Sequence, residues 1–172
     1  IKKYAPDHPL AAFRMIKAGL ALEQFRSKYL ADKRMPGAYQ YLNTYAVGEV
    51  LAALKHPETS VWANIFAPVE LLQCFELHSL SIECLSSFLS GFTIEDYFLD
   101  YAENEGLAST LCSYHKNFIG AIDSGIIPPA AFAVTTSTIC DGNINTFRHL
   151  SEKHQVPSFL IDVPQYNTPD AK

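Results

Sequence analysis

Two cysteines stand where a folded chain would place chemistry. Residues 131–147 run Ala-Phe-Ala-Val-Thr-Thr-Ser-Thr-Ile-Cys-Asp-Gly-Asn-Ile-Asn-Thr-Phe. An apolar, β-branched stretch there ends in a polar turn presenting Cys140, Asp141 and Gly142, and a helix-like segment follows. In an open α/β sheet, ligands gather beyond the carboxyl ends of the strands, where helix N-termini point. Cys112, within Thr-Leu-Cys-Ser-Tyr-His-Lys-Asn, heads a second helix-like stretch. A helix N-terminus favours the thiolate, which is the nucleophilic and metal-ligating form of cysteine. On residue type alone, two reduced thiols packed near loops is the simpler reading, because free cysteine is often a small buried hydrophobe. Both readings stand at this point.

The other candidates divide into working and packing groups. Glu70 follows Pro68 at the start of the helix after the first strand, on the same expected strand edge as Cys140. It reads either as a partner of the helix dipole or as a carboxylate facing the cleft and able to move a proton. Asp141 and Gly142 read as turn residues, with Gly142 allowing close approach or positive φ. Cys74 and Cys84 read as core residues. His115, His149 and His154 read as surface helix residues, since no two have metal-pair spacing. Lys116, Arg148 and Lys153 are available to an anionic phosphate group, but a solvated helix face is the preferred reading.

These residues must be held by alternating elements. Leu10, Phe13, Ile16, Ala18, Leu20 and Phe25 recur at helical spacing until Arg34-Met-Pro36-Gly37 interrupts, and residues 38–55 form a second helical pattern ending before Pro57. Strands are then expected at 61–66, 79–85, 132–137 and 158–163, with helices from Pro68, Thr93, Ser113 and Asn143. Thr93-Ile-Glu-Asp96 resembles a capping box. Strand–helix alternation implies parallel strands joined by right-handed crossovers, with helices on both faces. The expected class is α/β: an open parallel sheet of about four strands, Rossmann or flavodoxin-like, preceded by an N-terminal helical segment. The expected divisions are a helical segment over 1–57 packed on the core, an α/β domain over 58–166 and an exit linker over 167–172.

Composition narrows the partners. The chain has 172 residues, 48% hydrophobic and 18% charged, which suits one globular domain and argues against disorder. A net charge of −5, with no basic run beyond Lys2-Lys3, offers no cationic face for nucleic acid or an anionic membrane. No apolar run reaches the roughly 18 residues of a membrane span. Four cysteines without a CxxC pair disfavour a disulfide scaffold, a zinc ribbon and a compact ferredoxin motif. A reducing, cytoplasmic compartment is expected. The first residues show no signal-peptide pattern and begin at Ile1, as in a trimmed or excised domain.

Five stretches follow one another in order: Trp62-Ala-Asn-Ile-Phe-Ala-Pro68-Val-Glu70-Leu-Leu, Leu111-Cys112-Ser113-Tyr114, Gly125-Ile-Ile-Pro128, Thr136-Ser-Thr-Ile-Cys140-Asp141-Gly142 and Pro157-Ser-Phe-Leu-Ile-Asp162-Val-Pro164. Together they resemble the 2-hydroxyacyl-CoA dehydratase family, which also includes benzoyl-CoA reductase subunits. The resemblance covers roughly 58–166 and implies the first domain of a larger subunit. It implies a [4Fe–4S] cluster held by three cysteines with one iron open to substrate, Cys112 and Cys140 matching two ligands and the third lying in a following α/β domain. It also implies an acyl-CoA substrate, a homologous dehydratase subunit and an ATP-hydrolysing activator that supplies one electron. In such a lyase a ketyl radical forms at the thioester carbonyl, the 2-hydroxyl leaves and the β-hydrogen becomes acidic. This chain has no Gly-rich phosphate loop, in keeping with ATP acting on the partner. Two alternatives share the fold: a benzoyl-CoA-reductase-type electron-transfer subunit and a non-catalytic α/β interaction domain.

Overall fold

The computed structural model describes residues 1–164 apart from Lys33 and Ile139; the expected exit linker at 167–172 lies outside the described residues. Its elements run α1 (Pro9–Tyr29), α2 (Gly37–Lys55), a 3-10 turn (Pro57–Thr59), β1 (Ser60–Ala63), α3 (Val69–Gln73) and β2 (His78–Ser81). Then come α4 (Ile82–Gly91), α5 (Glu95–Asn104), α6 (Ser113–Asp123), β3 (Phe132–Thr136), α7 (Asp141–His154) and β4 (Ser158–Ile161). The four strands form one sheet in the order β2-β1-β3-β4, all parallel. No helix among the described residues is long and apolar enough to cross a membrane.

Side-chain alternation along the strands sets two unequal faces. Trp62, Leu80 and Ala133 point into the main core, where α1, α2 and α4 to α7 supply Ile16, Leu20, Leu51, Leu54, Leu85, Phe98, Phe118 and Phe147. Trp62 is fully buried and meets Phe118 edge-on, with ring centroids 6.2 Å apart. Val61, Ala63 and Val134 point the other way into a smaller core with Ala67 and Leu72 of the α3 region. The change of face follows from direction. The chain steps one way from β1 to β2 and the opposite way from β2 to β3 and on to β4, so right-handed crossovers must place α3 opposite the later helices. The alternation predicts helices on both faces; among the described residues the second face carries a single helix of five residues, and Phe159 of β4 is 65% exposed.

Several local expectations change. The strand expected at 61–66 ends at Ala63. The strand expected at 79–85 stops at Ser81, whose hydroxyl accepts a hydrogen bond from the Cys84 amide and caps α4. Ile82–Leu85 are therefore helical, although apolar and β-branched at the start. Thr93 does not cap α5; it sits at φ 55°, donates its amide to the Ser90 carbonyl, and so finishes α4. Along α1 the buried stripe is Ala12, Ile16 and Leu20, while Leu10 and Phe25 face outward.

Candidate functional site

The order β2-β1-β3-β4 reverses direction at β1, so the chain leaves the carboxyl ends of β1 and β3 toward opposite faces and a crevice opens between them. A cleft of about 240 Å3 lies at this edge, lined by Phe66 after β1, Ile82 and Glu83 after β2, and Cys140 and Asn143 after β3, with Cys112, Tyr114 and His115 at the head of α6. Cys112 is the N-cap of α6 and Cys140 the N-cap of α7. Both are free thiols, Cys112 exposed and Cys140 half-buried. The two cysteines singled out from the sequence thus share one cleft wall, each just before a helix whose amide dipoles favour negative charge.

His115 completes the wall, contrary to the surface position that the sequence suggests. It is only 5% exposed. Its Nδ1 lies 3.0 Å from the Thr146 hydroxyl of α7, and its Nε2 lies 3.7 Å from Cys140 Sγ. Burial pushes the imidazole below its ordinary pKa, against the opposing charge of Glu83. Gly142 makes this proximity possible: a Cβ there would stand 2.8 Å from His115 Nε2 and 3.1 Å from Cys140 Sγ. Close approach, not positive φ, is therefore what this glycine supplies. Asn143, 3% exposed, also lines the cleft, and its buried Oδ1 has no hydrogen-bond partner among the described residues.

Glu70 lies exposed in the first turn of α3, where its charge joins burial, Glu49 and Tyr41 in raising the Tyr45 phenol. Glu83 is the carboxylate that lines the thiol cleft, accepting a hydrogen bond from Ser81 Oγ at 2.8 Å. Cys74 is exposed at the end of α3 rather than packed in the core. Cys84 is half-buried in the first turn of α4, and burial pushes its thiol up.

The remaining polar candidates serve the scaffold. Lys116 is 6% exposed and reaches Glu103 at 2.6 Å and the Ser109 carbonyl at 2.8 Å, so it is no solvated phosphate contact. Arg148 pairs with Glu152 along the surface of α7. His149, Lys153 and His154 converge on the Asp123 carboxylate at 3.0, 3.1 and 2.6 Å. Burial alone would raise the pKa of Asp123, but hydrogen bonds from these three groups hold it below the usual carboxylate range.

Cysteine sulfur is the soft donor that iron prefers, and two free cysteines line this one cleft. Among the described residues no group of three or more Cys, His, Asp or Glu is gathered to hold a metal ion by itself. The donor set accordingly fits part of a cluster site.

The chain is an α/β domain with an all-parallel sheet and two free cysteines at its carboxyl edge, and similarity makes the assignment narrower. Residues 64–172 match the model of the family "2-hydroxyglutaryl-CoA dehydratase, D-component", and the chain belongs to that family. The matched stretch includes Glu70, Cys112 and Cys140, while α1 and α2 precede it. The chain is also 24% identical over 106 residues to the (R)-2-hydroxyisocaproyl-CoA dehydratase alpha subunit of Clostridioides difficile, an alignment covering 59% of this chain and 26% of that relative. It thus spans about a quarter of that relative's length.

Proposed function

We propose that this chain is the N-terminal domain of a 2-hydroxyacyl-CoA dehydratase subunit and that Cys112 and Cys140 supply two thiolate ligands of a [4Fe–4S] cluster. The observation that carries the reading is their shared cleft: N-caps of the neighbouring helices α6 and α7, lining one wall at the switch point of the sheet. When bound, the cluster supplies one electron and a Lewis-acidic iron for a thioester carbonyl. This chain's residues supply the setting. The amide dipoles of α6 and α7 favour anionic sulfur, Phe66 and Ile82 exclude water, and Glu83 presents a carboxylate within the same walls. Glu70 stays in the proposal as a proton-transfer group, reaching the substrate from the α3 side. The third cysteine ligand, the acyl-CoA, a homologous subunit and an ATP-dependent activator complete the system, in a cytoplasmic setting.

Iron and sulfide analysis of the anaerobically purified complete subunit tests the reading. Cys112→Ser and Cys140→Ser should each lose most of the iron, and with it water elimination from a 2-hydroxyacyl-CoA supplied with activator and ATP. Wild-type iron content in both variants would sink the proposal. Glu70→Gln should lower turnover strongly at unchanged iron content; unchanged turnover returns Glu70 to the helix dipole alone. Reduction of the acyl group in place of dehydration would select the benzoyl-CoA-reductase alternative.

A further inference from the structure

The hydrogen-bond partners of His115 determine which of its nitrogens carries a proton. Thr146 is 2% exposed, and among the described residues its hydroxyl has a single hydrogen-bond partner, His115 Nδ1. A neutral imidazole protonated on Nδ1 would donate to Thr146 Oγ1 and leave the buried Thr146 hydroxyl hydrogen without an acceptor, which is unfavourable. Protonation on Nε2 removes that conflict: Thr146 donates to a bare Nδ1, and Nε2–H points at the other contact of the ring, Cys140 Sγ at 3.7 Å. A doubly protonated ring also has Nε2–H on this side. The bare backbone of Gly142 keeps the space between ring and sulfur free of a side chain.

We propose that His115 donates its Nε2–H to the Cys140 sulfur, that Thr146 locks it in this tautomer, and that His115 thereby sets the electron-donating strength of that sulfur. The last step rests on Cys140 being a cluster ligand. A hydrogen bond to a ligating sulfur withdraws charge from it, stabilises the reduced cluster and raises its reduction potential. His115 is a positioning residue: it acts through Cys140 and has no assigned contact with substrate.

Two measurements separate this inference from the function it builds on. Long-range proton–nitrogen NMR on the chain labelled with 15N-histidine, with His115 assigned by its loss in His115→Gln, should show a protonated Nε2. In Thr146→Val the Nδ1–H form should gain population. A bare Nε2 with a protonated Nδ1 in the wild type overturns the tautomer, and that result needs no cluster. In the complete subunit, His115→Leu should make the cluster potential more negative at unchanged iron content, and His115→Gln, which keeps an N–H at similar reach, should restore it toward wild type. An unshifted potential in His115→Leu with full iron overturns the tuning role. Wild-type subunit without iron would count against Cys140 as a ligand, and the NMR result would still decide the tautomer.

Discussion

Helices α6 and α7 lie side by side, and their two ends treat polar groups in opposite ways. At the amino ends stand two free thiols, a buried imidazole and Asn143, whose carbonyl oxygen is unpaired among the described residues. At the carboxyl ends, Asp123 is almost wholly buried and fully engaged, held by His149, Lys153 and His154. An aspartate closing a helix opposes the helix dipole, so those three donors on the last turns of α7 offset an arrangement that is otherwise unfavourable. The amino ends gather groups without ion-pair partners, whereas the carboxyl ends tie the two helices together through Asp123, although the buried Ser151 Oγ there is also unpaired among the described residues. The proposed site and the Asp123 ion-pair cluster thus occupy opposite ends of one helix pair.

The largest expected effect falls between the two ends. A Cβ at position 120 would stand 2.1 Å from the Phe98 carbonyl oxygen of α5, a backbone atom that cannot turn aside. Gly120→Ala should cost about 3 kcal/mol in urea unfolding, near the upper range for overpacking, by pushing α6 off α5. A cost below about 1 kcal/mol, the lower end of that range, would show that the pair is not clamped there.

Asp123→Asn comes next, at about 2–3 kcal/mol near neutral pH. Because the folded Asp123 pKa is depressed, its contribution is present above the ordinary carboxylate range and is lost as pH falls through the lower folded value. The difference between wild type and Asp123→Asn should therefore shrink below about pH 3.8. A pH-independent difference would remove the ionic part of the account. Alkylation rates of Cys112 and Cys140 should not change in this variant while it is folded; a change would break the separation of the two ends.

Gly142→Ala should cost about 1 kcal/mol despite the better helix propensity of alanine, because the His115 ring must yield. The accompanying signature is a changed His115 nitrogen shift. Cys112→Ser should lie within about 0.5 kcal/mol of wild type, as expected for an exposed side chain without a packing role. A larger loss would make Cys112 part of the scaffold.

Much of the sheet is legible in the sequence because short apolar runs end at turn residues: β3 and β4 begin where the pattern places them, and α6 begins at Ser113 as expected. The two cysteines are legible because a strand end and a helix start both mark the ligand edge. His115 is not. Residues 115–122 of α6 are all buried, so no polar face remains and periodicity reports nothing about which side chains are covered. Ile82–Leu85 mislead for a related reason, since a short segment with apolar Ile82, Cys84 and Leu85 around Glu83 suits a strand or a helix equally. The deciding signal is Ser81, a capping residue just before them. Glu83 is invisible as a cleft residue until that helix start is placed correctly.

The empty space at position 142 is also a rule of inheritance. Any side chain there collides with the ring at 115, so the two positions are not free to vary independently through descent. Relatives that retain histidine at the place of His115 should retain glycine at the place of Gly142. Lineages in which glycine is replaced should carry a smaller residue opposite it, the two changes arriving as a pair.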